Sequence, residues 1–140
     1  MFSSDRLLFR GFQDDDVEHL YSIRNDFRVQ RFISAEPVVP RPMKYKEFLK
    51  GQAEDSTIWF AIILKDTREF VGQCSMKVSE PKNRDATFGI SMYPKFWGNG
   101  YGTEASKFMI GYAFNALGIQ RVSLMVLEGN AAAIAVYKKL

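Results

Sequence analysis

The stretch Tyr93-Pro94-Lys95-Phe96-Trp97-Gly98-Asn99-Gly100-Tyr101-Gly102-Thr103-Glu104-Ala105 constrains this chain more than any other. Three alternating glycines separate a predicted strand, Asp85 to Tyr93, from a helical pattern that begins near Thr103. Glycine permits positive φ and lets the backbone approach another group closely. At a helix N-terminus such a loop gathers free N–H groups and the positive end of the helix dipole on one spot, which suits phosphate. The spacing is G-x-G-x-G, so it misses the dinucleotide fingerprint by one residue, and no Gly-Lys-Ser/Thr follows as a P-loop requires. On spacing alone, an anion site and a plain glycine turn both stay open.

The rest of the chain reads as one α+β domain. Arg6–Arg10 is a predicted strand closed by Gly11. Asp14-Asp15-Asp16 offers an N-cap and an acidic first turn to a helix carrying Val17, Leu20, Tyr21 and Arg24 on one face. Such a run is better suited to capping than to metal binding, because no matching ligands stand nearby. A short helix, Phe27 to Ile33, precedes a proline-punctuated loop, Ser34 to Met43, and a third helix, Lys44 to Gln52, ends near Gly51. Ile58–Leu64, Phe70–Val78 and Asp85–Tyr93 form an antiparallel meander through two polar turns. From Thr103 to Leu117, apolar residues recur at helical spacing as Ala105, Phe108, Met109, Tyr112, Ala113, Ala116 and Leu117, and Gly118 is a stop. Arg121–Leu127 is the next strand and Asn130 caps a final helix. A helix between the Asp85 and Arg121 strands implies one parallel pair in an otherwise antiparallel sheet.

Composition narrows the function classes. The 140 residues are 46% hydrophobic and 25% charged with net charge +3, a globular balance with a slight preference for anionic ligands. Lys and Arg are dispersed rather than clustered with aromatics, so nucleic acid is not the expected partner. No run approaches the roughly 18 apolar residues of a membrane span, and the N-terminus has no signal-peptide pattern. The single cysteine, Cys74, permits no internal disulfide and fits a core thiol in a reducing compartment. The expected address is the cytosol, or the nucleus by diffusion. His19, the only histidine, lies beside the apolar stripe of its helix and reads as a solvated position. Trp59 and Trp97 read as packing residues.

Two motifs carry a family resemblance. Trp97-Gly98-Asn99-Gly100-Tyr101-Gly102 resembles the pyrophosphate loop of the GNAT N-acetyltransferases, Gln/Arg-x-x-Gly-x-Gly/Ala, with Trp97 in the Gln/Arg place. Thr103-Glu104-Ala105 is common in the branch of ribosomal-protein N-terminal and spermidine acetyltransferases. Asn130-Ala131-Ala132-Ala133-Ile134-Ala135-Val136-Tyr137-Lys138-Lys139-Leu140 resembles the family's Asn-x-x-Ala-x-x-x-Tyr-x-x-x-Gly-Phe, ending just before Gly-Phe. The resemblance spans Arg6 to Leu140.

The resemblance implies acetyl transfer from acetyl-coenzyme A to a small amine, polyamine or peptide N-terminus by direct attack on the thioester, without a metal. It implies the acyl-CoA N-acyltransferase fold: a mixed, mostly antiparallel twisted sheet with helices on both faces. Because the chain stops at Leu140, the family's last two strands are expected to be missing. The exposed Arg121–Leu127 edge would then offer a homodimer contact. Gly98, Asn99, Gly100, Tyr101, Gly102 and Thr103 would cradle the pyrophosphate beside Trp97. Ser91, Met92 and Tyr93 would follow the pantetheine arm, one backbone N–H there polarising the thioester carbonyl. Asn130 would contact the coenzyme as well as cap its helix, and Tyr137 would protonate the leaving thiolate.

The family's strand glutamate is replaced here by Thr87, which leaves Glu128, Asp85 or a water chain as the base, with Glu128 best placed. Glu36, Tyr45 and Phe32 are candidates for the acceptor pocket. The Thr87 departure keeps a second reading open, a catalytically inactive acyl-CoA-binding regulatory module.

Overall fold

Alternating apolar residues on five consecutive strands build a sheet with two buried faces. The computed structural model describes residues 2–33, 39–80, 85–116, 118 and 121–124, of which 31–33, 79, 80, 85 and 121–124 are described as backbone only. Six strands lie side by side in chain order: β1 (Phe2–Ser3), β2 (Leu7–Arg10), β3 (Ile58–Leu64), β4 (Phe70–Glu80), β5 (Asp85–Met92) and β6 (Arg121–Leu124). Neighbours are antiparallel except β5 and β6, which run parallel in the register Asp85↔Arg121 to Phe88↔Leu124. The helices are α1 (Asp16–Arg24), α2 (Phe27–Ile33), α3 (Tyr45–Asp55) and α4 (Tyr101–Ala116), the last being the crossover between the parallel pair.

On one face Leu7, Phe9, Phe60, Ile62, Met76, Ala86 and Phe88 pack under Ala105, Met109 and Ala113 of α4. On the other, Ala61, Ile63 and Phe70 pack under Leu20 and Ile23 of α1 and Leu49 of α3. Each large aliphatic or aromatic side chain so buried contributes about 1.5–3 kcal/mol. The α+β class with helices on both faces is thus as the sequence predicts. Cys74 is fully buried within the α4-side core, the position expected of a packing thiol.

Local boundaries differ for identifiable reasons. α4 starts at Tyr101, two residues before Thr103, because the Glu104 N–H bonds to the Gly100 carbonyl and draws the glycines into the first turn. α3 runs through Gly51 to Asp55: Gly51 is exposed with open space around it, and buried Leu49 and Ala53 hold the helix on both sides. No side chain of the Asp14–Asp16 run caps Asp15's position at the start of α1. Instead Asp16 is buried, takes two 2.9 Å hydrogen bonds from the Arg10 guanidinium and accepts the Gln13 N–H at 2.9 Å. The acidic run thus contributes a buried ion pair between α1 and β2. The short strand β1 and a single 3-10 turn, Pro94–Phe96, carry no sequence periodicity that would have announced them.

One close approach depends on glycine. Gly72 of β4 pairs with Met92 of β5, and a Cβ there would stand 2.1 Å from the Ser91 carbonyl oxygen. The strand that leads to the glycine loop is therefore seated against a bare backbone.

Candidate functional site

β5 ends at Met92 and the chain turns through Pro94–Phe96 into the glycine stretch. Gly98 and Gly100 take φ values of +77° and +81°, which L side chains adopt only with strain. Around Gly98 nothing lies within 4 Å of a would-be Cβ, so the loop is open on that side. The N–H groups of Gly98, Asn99, Gly100, Tyr101, Gly102 and Thr103 donate to no acceptor among the described residues, the first bonded amide being Glu104. These six successive donors, unpartnered among the described residues, lie in the loop before a sixteen-residue helix and in its first turn, and they form an anion cradle.

The cradle is held from inside and outside. The Asn99 amide donates to the Phe96 and Trp97 carbonyls at 3.1 Å each, and the Trp97 indole N–H donates to the Met92 carbonyl at 3.2 Å. Trp97, read from sequence as a packing residue, is a half-exposed brace at the strand end. From the far end of the described chain, Arg6 donates through Nη1 to the Asn99 carbonyl at 2.8 Å and stacks on the Tyr101 ring at 4.4 Å. Its Nε and its backbone N–H donate to Glu104 at 2.7 and 2.8 Å, and the Ser4 hydroxyl donates to the same carboxylate. Burial pushes the Glu104 carboxyl up, but the Ser4 and Arg6 donors outweigh it and hold it below its usual value. Glu104 remains ionised and Arg6 stays beside Gly100, so the loop keeps a fixed positive neighbour.

The opposite face of the same strands is polar. With Cys74, Met76, Ala86 and Phe88 turned toward α4, alternation places Gln73, Ser75 and Lys77 of β4 and Thr87, Gly89 and Ser91 of β5 on the side of α1 and α3. They meet as cross-strand pairs, Gln73↔Ser91, Ser75↔Gly89 and Lys77↔Thr87. The Gln73 amide donates to the Ser91 hydroxyl at 2.9 Å, both side chains being buried.

Beside Ser91, Tyr93 continues this face. Its hydroxyl lies 2.9 Å from His19 Nδ1, and the imidazole stacks flat on Phe70 with 4.3 Å between centroids. Burial pushes the Tyr93 phenol up from its ordinary range, partly offset by the Ser22 hydroxyl and the Lys95 charge, so it is a neutral hydroxyl near neutrality. Sequence reasoning read His19 as a bare solvated position. It is exposed, but it is also bracketed by two aromatic rings. A histidine on α1 meeting a tyrosine 74 positions away gives no periodic signal.

The structure thus brings together Ser91, Met92, Tyr93 and Trp97 through Thr103 around one strand end. Thr87 is exposed on β5 opposite Lys77. Tyr45 opens α3, stacks on Phe48 and lies under the Arg41 guanidinium. Asn130, Tyr137 and Glu128 lie outside the described residues, as do Glu36 and the side chains of Phe32 and Asp85. Among the described residues no group of three His, Cys, Asp or Glu side chains is placed to hold a metal ion, and no helix is long and apolar enough to cross a membrane.

A family model described as Acetyltransferase (GNAT) domain matches residues 6–140. The chain belongs to the GNAT acetyltransferase family. An uncharacterized N-acetyltransferase of Bacillus subtilis, YoaA, is 27% identical over 135 residues, covering 94% of this chain and 76% of that protein. The spermidine N(1)-acetyltransferase of Escherichia coli is 25% identical over 143 residues, 100% of this chain and 74% of that one. The crystal structure of spermidine N-acetyltransferase from Vibrio cholerae in complex with CoA and spermine superposes with a TM-score of 0.82 at 17% identity, covering 97% of this chain and 80% of that one. The six-stranded sheet with its one parallel pair is accordingly a GNAT fold, and this GNAT chain is an enzyme of the N-acetyltransferase class.

Proposed function

We propose that this GNAT enzyme transfers the acetyl group of acetyl-coenzyme A to an amine, by direct attack of the amine on the thioester. The observation that carries the coenzyme reading is the row of six N–H groups from Gly98 to Thr103, unpartnered among the described residues and fixed by Arg6, Asn99 and Glu104. Backbone donors and a helix N-terminus match a pyrophosphate in charge and geometry, and the open side of Gly98 leaves it room. Bound there, the coenzyme supplies an activated acetyl thioester. Ser91, Met92 and Tyr93 lie next along the strand and are the residues positioned to follow the pantetheine arm.

Tyr137 is the proposed donor of a proton to the leaving sulfur, its phenol having an ordinary pKa near ~10 suited to that exchange. Asn130 is proposed as a coenzyme contact and Glu128 as one candidate base. The acceptor is proposed to be a small amine, a polyamine or a peptide N-terminus, a range in keeping with the spermidine acetyltransferases among the relatives.

Calorimetric titration of acetyl-coenzyme A into wild type and Gly100→Glu tests the cradle, followed by thiol release with an amine panel. Glutamate at position 100 puts a carboxylate where the pyrophosphate would lie. Binding by wild type and at least a tenfold loss in the variant support the reading. A folded wild type without coenzyme affinity overturns it. Binding without thiol release for any amine would favour instead an inactive acyl-CoA-binding module, the reading that the Thr87 substitution favours.

A further inference from the structure

Amine acetylation needs a group that removes a proton, because a lysine-like amine is charged at neutral pH, with a pKa near ~10.4. The sheet face opposite α4 divides into two halves. Over β2 and β3 it is apolar and covered by α1 and α3, through Leu8, Ala61 and Ile63. Over β4 beyond the buried Phe70, and over β5, it is polar, with Gln73, Ser75, Ser91 and Thr87, although Gln73 and Ser91 are buried. Burying a hydroxyl and an amide has a cost that one mutual hydrogen bond only partly offsets. A floor of this kind, on the strand that leads into the coenzyme loop, suits a polar substrate better than a packing role.

At its loop-proximal end sits the one imidazole of the chain. Its ring is held by Phe70 on one face and by Tyr93 edge-on, with centroids 5.9 Å apart and planes at 85°. Nδ1 is committed to the Tyr93 hydroxyl, so Nε2 is the nitrogen that remains. Among the described residues, the carboxylates at the start of its helix and the lysine beside Tyr93 are paired, Asp16 with Arg10, Glu18 with Lys46, Asp14 with Lys50 and Lys95 with Glu69, while Asp15 is exposed. The imidazole is therefore the group at this face that presents a basic nitrogen held in place by its neighbours.

We propose that His19 is the catalytic base for the acceptor amine and that Tyr93 is its positioning residue, the amine being received on the Gln73–Ser91 floor. This rests on the acetyltransferase reading. In the step, which uses the tautomer with Nδ1–H donating to the Tyr93 oxygen, the ammonium proton passes to His19 Nε2. The freed nitrogen lone pair forms the bond to the acetyl carbon, and the carbon–sulfur bond breaks with its electron pair leaving on sulfur. The thiolate takes a proton from the proposed Tyr137, the acylated nitrogen sheds its second proton to restore that phenol, and the imidazolium returns its own to solvent. The role is the one for which Thr87 lacks the chemistry.

The test compares wild type, His19→Asn, Tyr93→Phe and Glu128→Gln. Asparagine keeps an N–H where Nδ1 was but has no basic nitrogen. His19→Asn is expected to lower kcat/KM for the amine about a hundredfold or more near neutrality, with acetyl-coenzyme A affinity within twofold of wild type. Its acid limb should be replaced by a rise that continues toward the pKa of the amine itself, where the defect shrinks. Tyr93→Phe is expected to displace the Nδ1 resonance of the single histidine in an NMR spectrum, a readout independent of turnover, and to lower kcat more than it raises KM. Glu128→Gln should keep the acid limb. Wild-type turnover with an unchanged rate and profile in His19→Asn overturns this proposal alone, and so does loss of the limb in Glu128→Gln. An unmoved Nδ1 resonance in Tyr93→Phe overturns the positioning role. Absence of thiol release from wild type with every amine overturns both this proposal and the acetyltransferase reading.

Discussion

Arg6 and Glu104, 98 positions apart in the chain, meet with Nε and Oε1 at 2.7 Å, and the same guanidinium holds the Asn99 carbonyl. The first turn of α4 and the glycine loop before it are therefore fastened to the segment that leads into β2 rather than left to their own turn chemistry. Arg6 is 46% exposed at its side chain, which weakens the ion pair as such, whereas Glu104 is 16% exposed and accepts from three donors.

Replacing Glu104 by Gln is expected to cost about 2 kcal/mol of folding stability at pH 7, in the range for hydrogen bonds to a charged group. Its carboxyl sits below the usual value in the folded chain. The ionised form is thus favoured by folding, so its contribution is complete above the unfolded carboxylate range of ~4.3 and is lost as pH falls through the folded value. Urea titrations at a series of pH values should show the gap between wild type and variant closing below pH ~4. A gap of constant size would contradict the account.

Gly98→Ala and Gly100→Ala separate strain from contact. Both place a Cβ at positive φ, at about 1–2 kcal/mol each. Only at position 100 does the new atom also meet a neighbour, Arg6 Nη2 at 3.2 Å. Gly100→Ala is expected to weaken acetyl-coenzyme A more than Gly98→Ala, while their thermal midpoints fall by similar amounts. Equal losses of affinity would count against Arg6 as part of the cradle.

Asp16→Ala leaves the Arg10 guanidinium and the Gln13 N–H without their acceptor in a nearly dry site. A loss of about 3 kcal/mol is expected, the lower end for a broken buried pair because Arg10 keeps some solvent contact. Chemical denaturation measures it directly. A variant as stable as wild type would show the pair to be ornamental.

Burial pushes the Cys74 thiol well above its ordinary range. A thiol-specific reagent is accordingly expected to leave the folded chain unmodified near neutrality and to label one site once denaturant unfolds it. Prompt labelling of the native chain would show that the α4-side core opens.

The antiparallel meander, the parallel pair and the glycine turn were legible because they rest on local signals. Ile58–Leu64 and Phe27–Ile33 match their predicted limits, since apolar density and helical spacing act over a few residues. What escaped was pairing across distance. Asp14-Asp15-Asp16 reads as a cap until Arg10 of a neighbouring strand is seen to claim Asp16. His19 reads as solvated until the end of β5 folds up to it. Gly51 reads as a stop, yet tertiary burial of Leu49 and Ala53 outweighs its propensity cost.

The reach of Arg6 also bears on how the molecule comes to be competent. A contact between residues 98 positions apart closes a long loop, and its entropic cost must be met before the contact stabilises anything. The glycine turn can bend locally in microseconds, but it acquires its clamp only after β2 has docked on β3. Ligand affinity should therefore emerge late in refolding, after most of the helical signal, and an isolated peptide of residues 93–116 should hold phosphate poorly despite carrying every glycine of the motif.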